Sequence, residues 1–405
     1  MTATTASFNP FTPGFTDDPY PHYAELRANM PVEQNELGFW ALWRHRDVAE
    51  VLRAKMSVED RKVTNQGPMA DAYANAYAEQ GVEGDGLSML DRDPPDHTRL
   101  RKLVSQAFNP RTIERLTPIV QQLVDDALDV IDDEGKVDLL DALAFPLPFT
   151  VISVMLGMPE TDTTRLRELS HTVVRSLEPV PDEETVRQIV AAQVELSELA
   201  SDAIAWKRAN PADDLLTALI NAEDSGDVLS DDELVAQVIL LYVAGHETTV
   251  NLIGNGTLAL LRDREQLDVW QDRPDLDDIA VEELLRFDSP VQMSRRITLD
   301  DYDVDGRTIP AGSFVIACLA SANRDDAQFG DDAGRLRLDR DNARQHVSFG
   351  AGVHHCLGAA LARLEGRLAI SSLIRRFPDL ELAGEPQWNG RINLRGLAAF
   401  PVRVR

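Results

Sequence analysis

Cys356 stands in the run Phe349-Gly350-Ala351-Gly352-Val353-His354-His355-Cys356-Leu357-Gly358. A thiol after a glycine-rich loop and before a helix expected over 357–376 is placed to act as a metal-ligating thiolate. A helix N-terminus offers unpaired N–H groups and a positive dipole end, both of which favour the anion. The glycines let the backbone come close to something flat and bulky. Only one other cysteine exists, Cys318. A four-sulfur zinc or iron–sulfur site is therefore excluded, and a single thiolate on haem iron suits the pattern. A second group is Ala244-Gly245-His246-Glu247-Thr248-Thr249. Its carboxylate and hydroxyls sit in an apolar helix, where buried polar groups need partners. His246-Glu247 begins like the zinc-protease pattern HExxH, but Val250 occupies the closing position. Glu283 and Arg286 are three apart and share a helix face. Taken alone, such a pair is common on surfaces and contributes little. His97 and Arg101, four apart, share another face and could bind carboxylates.

The elements that must position these groups are mostly helical. Ser230-Asp231-Asp232-Glu233 is a capping box that opens a long helix over 231–263. That helix is apolar nearly all round from 234 to 243, which predicts burial. Further helical patterns cover 19–28, 47–54, 97–108, 110–133, 149–156, 161–177 and 183–208. Strand signals cover 39–43 and 313–319. A hairpin is expected over 301–309, turning at Asp305-Gly306, and a final one over 392–404. The stretch 57–93, rich in Gly, Asp and Ala, reads as a long irregular connection, the kind that often forms a binding loop or lid. The expected fold is mainly α with a smaller β region, as one domain over 1–405.

Of 405 residues, 43% are hydrophobic, enough for a large core. Acidic residues outnumber basic ones, 68 to 40, for a formal charge of −28. Such a surface repels nucleic acid and anionic lipid, and both are set aside as partners. The N-terminal residues have neither a basic start nor an apolar core, so no signal peptide is expected. The longest apolar stretch, 234–261, is broken by His246 and Glu247, so no membrane span is expected. Two cysteines point to a reducing cytoplasm without disulfides.

With Phe349, Gly352, Cys356 and Gly358 at their spacing, the loop resembles the haem-binding loop of the cytochromes P450. Motifs of that family continue from Pro19 to Val402. The resemblance implies a P450 fold whose long central helix crosses haem b, with Cys356 as the iron ligand. It implies that Ala244 and Gly245 leave room for dioxygen, while Glu247 and Thr248 relay protons to it. His97, Arg101, Arg296 and His354 match propionate-binding positions, with Arg295 left as an alternative to Arg296. Glu283 and Arg286 match a buried structural pair joined by a third arginine. That arginine is expected to be Arg335, with Arg340 the lesser candidate because Leu336 replaces the usual aromatic. Cys318 is read as a core thiol.

The same resemblance makes 57–93 a substrate-facing loop, 161–208 the roof helices, and 346–376 the haem-ligand loop and its helix. Leu87, Met89, Leu90, Val243, Ala244, Val291, Met293 and Leu397 become expected pocket residues, which suggests a lipophilic small-molecule substrate. Electrons are expected from a ferredoxin and an NAD(P)H-dependent ferredoxin reductase, docking on Arg99, Lys102, Arg111 or Arg363. The expectation is a cytoplasmic monomer of the soluble bacterial type, inserting one atom of O2. A haem-thiolate peroxygenase and a non-catalytic haem-binding sensor remain as alternatives.

Overall fold

A single uninterrupted helix, Asp231–Arg262, dominates the computed structural model, which describes residues 7–64, 70–82, 88–108, 110–159, 162–179, 182–224 and 226–405. Its start is set by the reciprocal capping box. The Ser230 N–H donates to the Glu233 carboxylate at 2.9 Å, and the Glu233 N–H donates to Ser230 Oγ at 3.2 Å. Its 32 residues span about 48 Å. From Leu234 to Leu260, every residue except Ala244 is buried or half-buried. Of the described residues, 58% are helical and 11% lie in strands, the mainly α composition expected.

The chain divides into two compact units. The larger comprises Met1–Ser57, Pro118–Leu147 and Thr248–Arg405. It holds a five-stranded sheet in the order Val32–Gln34, Trp40–Leu42, Phe314–Cys318, Met293–Thr298 and Met56–Ser57. Only the Trp40–Leu42 and Phe314–Cys318 pair is parallel. An aromatic cluster that includes Phe8, Phe15, Tyr23 and Trp43 packs with Cys318 and Met293. The Asp305-Gly306 hairpin forms, with φ of 49° and 75° at its two turn residues. The final hairpin does not. Leu397–Ala399 pairs with Gln387–Trp388, whereas Pro401–Arg403 pairs with Glu381–Leu382 and Lys136–Asp138. Phe400 alone separates the two strands, too little chain for a turn, so they join different sheets.

The smaller unit comprises Val58–Thr117 and Pro148–Glu247. Within the stretch read as irregular, Ala70–Glu79 forms a helix. Its alternate alanines are strong helix formers. Ala76 packs with Val186 and Val190 of the helix Glu183–Ala209, and Tyr77 Oη donates to Gln193 at 2.6 Å. The glycines of that stretch lie outside the helix.

In the larger unit, three helices meet closely: the central one, Asp277–Phe287 and Ala359–Arg376. A Cβ on Gly256 would stand 3.0 Å from Leu284 and 3.1 Å from Ile370, and one on Gly366 would stand 2.7 Å from Leu252. Glu283 and Arg286 are both fully buried and form a two-bond fork of 2.6 and 2.7 Å. Arg286 also donates to the carbonyls of Asn323 and Ala333, both at 2.7 Å, and of Arg335 at 3.0 Å. The third arginine is Arg340, which corrects the expectation of Arg335. Arg340 Nε donates to Glu283 at 3.2 Å from a buried position, whereas the Arg335 side chain is exposed and only its carbonyl takes part. The reason is the period-two path of 336–340, which turns Leu336, Leu338 and Arg340 inward.

Glu365 sits in the same core, 1% exposed. Burial pushes its carboxyl up to about 8, opposed by a hydrogen bond from Thr249. It is therefore neutral at pH 7 in the fold and ionised in the unfolded chain, where the usual value is 4.5. The folded state then binds the extra proton, so stability falls as pH rises between these values, at about 1.4 kcal/mol per pH unit. Glu365→Gln is expected to flatten that dependence in denaturant titrations at pH 5, 6.5 and 8. Arg340→Gln is expected to cost about 3 kcal/mol, by breaking a buried charge cluster, and Arg335→Gln under about 0.5 kcal/mol. Equal losses in urea unfolding would contradict the assignment of Arg340.

Candidate active site

The loop around Cys356 is shaped by backbone geometry before any side chain acts. Gly350 and Gly352 have φ of 66° and 71°, the left-handed region. A Cβ on Gly352 would also lie 2.6 Å from the Leu52 carbonyl oxygen. The Gly350 N–H donates to Val347 O at 2.8 Å, and the Cys356 N–H donates to Phe349 O at 2.9 Å. A short turn, Gly352–His354, follows, and then the helix Ala359–Arg376 begins. Cys356 is exposed at that helix start. Cys318 is its opposite: fully buried, with its thiol pushed up to about 12 mainly by burial. The chain therefore offers one accessible thiol, on a loop whose path depends on glycines in the left-handed region. A Cβ on Gly358 would reach 4.0 Å from the Cys356 sulfur. One soft anionic donor on an exposed, glycine-rich loop fits a flat macrocycle whose iron takes a single protein sulfur.

On the central helix, Ala244 is exposed, and Gly245, Glu247 and Thr248 are half-buried. Gly245 also lets the helix approach Ile152, since a Cβ there would stand 3.2 Å from its Cδ1. His246 turns the other way and is fully buried, its ring 5.7 Å from those of Phe149 and Tyr242. Its Nδ1 lies 2.8 Å from Tyr242 O, so that nitrogen carries the proton. Burial lowers its basicity, which leaves the ring neutral. Glu247 is approached at 3.9 Å by His246 Nε2 and at 3.9 Å by Nδ1 of His171, an exposed residue of the helix Thr163–Val173. Among the described residues, no cluster of three His, Cys, Asp or Glu could hold a metal ion.

The expected cations are placed as follows. In the smaller unit, His97 is buried and Arg101 half-buried on the helix Asp96–Ala107. Burial, and then the Arg101 charge, lower the basicity of His97 against the pull of Asp93. In the larger unit, Arg296 is 5% exposed and Arg295 half-buried on the strand Met293–Thr298, and His354 is half-buried in the cysteine loop. Of the expected docking cations, Arg99 pairs with Glu233 and Asp227, and Arg363 pairs with Glu282. Lys102 and Arg111 are exposed.

The expected pocket residues divide. Leu87 lies outside the described residues. Met89 is buried, its N–H donating to Gln237 of the central helix at 3.1 Å, and Val243 is buried on the same helix. Leu90, next in the tight turn Met89–Asp91, therefore points outward and is 45% exposed. In the larger unit, Val291 bridges to Leu394, and Leu397 reaches Gly254 of the central helix. Met293 faces the aromatic core. Sequence reasoning passed over Glu282 and Glu365 and ranked Arg340 second. Their signal was a carboxylate or guanidinium at an inward position of an otherwise apolar pattern.

The family model for Cytochrome P450 matches residues 39–389. Cytochrome P450 107B1 of Saccharopolyspora erythraea is 41% identical over 402 residues, covering 97% of this chain and 96% of that protein. The vitamin D(3) 25-hydroxylase of Pseudonocardia autotrophica is 41% identical over 403 residues, covering 97% and 96%. The crystal structure of P450BioI in complex with hexadec-9Z-enoic acid ligated acyl carrier protein matches with a TM-score of 0.88 at 32% identity, covering 96% of this chain and 99% of that one. That family binds haem b through a cysteine thiolate and comprises monooxygenases that use O2 and redox partners. Among the described residues, no helix is long and apolar enough to cross a membrane. Over nearly its whole length, in sequence and in fold, this chain belongs to the cytochrome P450 family of monooxygenases.

Proposed function

We propose that Cys356 is the thiolate ligand of haem b and that the chain oxygenates a lipophilic small molecule. The observation that carries this is the exposed Cys356 thiol on a glycine loop at a helix start, its backbone N–H donating to the Phe349 carbonyl. Haem held by Cys356 would supply O2 activation, in which two electrons and two protons take one oxygen atom to water while the other passes to the substrate. Phe349, Gly352 and Gly358 are assigned to shape the loop that presents the sulfur. In the larger unit Arg296 and His354, and in the smaller unit His97 and Arg101, are assigned to propionate carboxylates through charge-assisted hydrogen bonds.

The distal chemistry is assigned to Glu247 and Thr248. Thr248 holds a hydroxyl one position beyond the carboxylate, where it can donate to O2 and accept from Glu247 or water. Glu247 takes up protons on the side of His171, whose side chain is 63% exposed, and passes them inward. The small residues Ala244 and Gly245 keep that face of the helix low. Met89, Val243, Val291 and Leu397 are assigned as apolar contacts to substrate. The vitamin D(3) and fatty-acyl molecules named for two relatives are both lipophilic, in keeping with that class. Electrons are assigned to a separate ferredoxin, reduced by an NAD(P)H-dependent reductase. Arg99, Lys102, Arg111 and Arg363 are its candidate docking cations, of which Lys102 and Arg111 are exposed.

Cys356→Ala is expected to lose the thiolate-type absorption of the reduced carbon monoxide complex, and an unchanged spectrum would refute the ligand assignment. Thr248→Ala is expected to keep consuming reductant while releasing peroxide in place of product, measured as peroxide formed per NAD(P)H. Glu247→Gln is expected to slow turnover on the order of 10²-fold, the usual worth of a general acid. Wild-type coupling and rate in both variants would remove the relay from these residues. Lys102→Gln is expected to slow reduction by ferredoxin at low salt and to matter little at high salt, read by stopped-flow.

A further inference from the structure

Glu282 precedes the buried Glu283, yet it serves a different cluster. It is 1% exposed, and burial opposes its ionisation, but bonds from His346 and Arg363 hold its carboxyl down at about 2. His346 Nε2 lies 2.9 Å from one carboxylate oxygen. His346 Nδ1 accepts the Ser348 N–H at 3.1 Å. With Nδ1 an acceptor, the proton sits on Nε2, and the ring is a neutral donor to Glu282. Arg363 donates to Glu282 from Nε at 2.7 Å and Nη2 at 3.2 Å, and Arg344 stands 3.6 Å away.

The cluster converges on Phe349. The Arg363 guanidinium lies 4.5 Å from the centre of the Phe349 ring, and the His346 ring lies 5.7 Å from it. A cation over an aromatic face is attracted to it. The carbonyl of the same Phe349 accepts the Cys356 N–H at 2.9 Å. Glu282 therefore grips, through two side chains, the residue whose backbone holds the thiol in place.

We propose that Glu282 is a positioning residue that orients Arg363 and His346 against Phe349 and so sets the charge felt at the Cys356 thiolate and the reduction potential of the bound haem. This rests on Cys356 being the ligand. The mechanism is electrostatic and has a sign. The positive charge of Arg363, kept in place by Glu282, favours the reduced iron, and the negative charge of Glu282 opposes it. Hydrogen bonds and burial around a ligating sulfur are known levers on potential.

The test is spectroelectrochemical titration of the haem-loaded full chain. Glu282→Gln is expected to raise the midpoint potential, Arg363→Gln to lower it, and the double variant to return toward wild type. A loosened loop would instead shift both single variants the same way. Should Glu282→Gln fail to take up haem, Arg363→Gln and Arg344→Gln carry the test alone. Both are then expected to lower the potential, Arg363→Gln by more, since it touches Phe349. Absent shifts, shifts of one sign for Glu282→Gln and Arg363→Gln, or a larger effect from Arg344→Gln overturn the proposal. A thiolate-type carbon monoxide spectrum in all of these proteins would then leave the ligand assignment standing. A wild type without that spectrum would overturn the ligand assignment, and this inference with it.

Discussion

The buried ionic cluster of Glu283, Arg286 and Arg340 is the constraint on which the larger unit depends. Each side chain is at most 3% exposed. Charges so deprived of water are tolerable only when every donor and acceptor is satisfied. Arg286 meets this by bonding Glu283 at one end and three main-chain carbonyls at the other. Those carbonyls lie between the sheet strand Phe314–Cys318 and the cysteine loop. The segment cannot move without stranding a buried guanidinium. Asn323 extends the constraint: its side chain accepts the Val347 N–H at 2.8 Å and donates to Ser289 and Ser348 at 2.8 Å. The start of the cysteine loop thus hangs from the same buried frame.

Close backbone approach is the second requirement. Gly256 and Gly366 allow three helices to meet where a methyl group would collide, and Gly352 lets the loop pass against Leu52. These contacts leave little freedom in how the cysteine helix lies against the central one. Glu365, held neutral in that packing beside Thr249, adds no charge that would need a partner.

Much of this was legible in the chain. The capping box at Ser230 located the start of the central helix, and Asp305-Gly306 located a hairpin, because each is a local bonding pattern. The cysteine loop was legible because its glycines answer to dihedral angles. Three expectations failed where the deciding contact was distant. The stretch 57–93 read as irregular because its glycines outweighed the alanines of 70–79 that find Val186 and Val190. Residues 392–404 read as a hairpin, although each strand's partner lies elsewhere in the chain. Arg335 read as the third arginine because sequence spacing does not reveal which of two side chains turns inward.

By itself, the sequence determined which groups share a helix face, where helices start, and which loop carries the accessible thiol. These follow from the fixed geometry of a helical turn and from backbone angles open only to glycine. The tertiary structure alone decided which arginine completes the buried cluster. It also decided which carboxylate, Glu282, reaches Phe349 through Arg363 and His346. Those outcomes depend on burial, and burial depends on the path of chain segments tens to hundreds of residues apart.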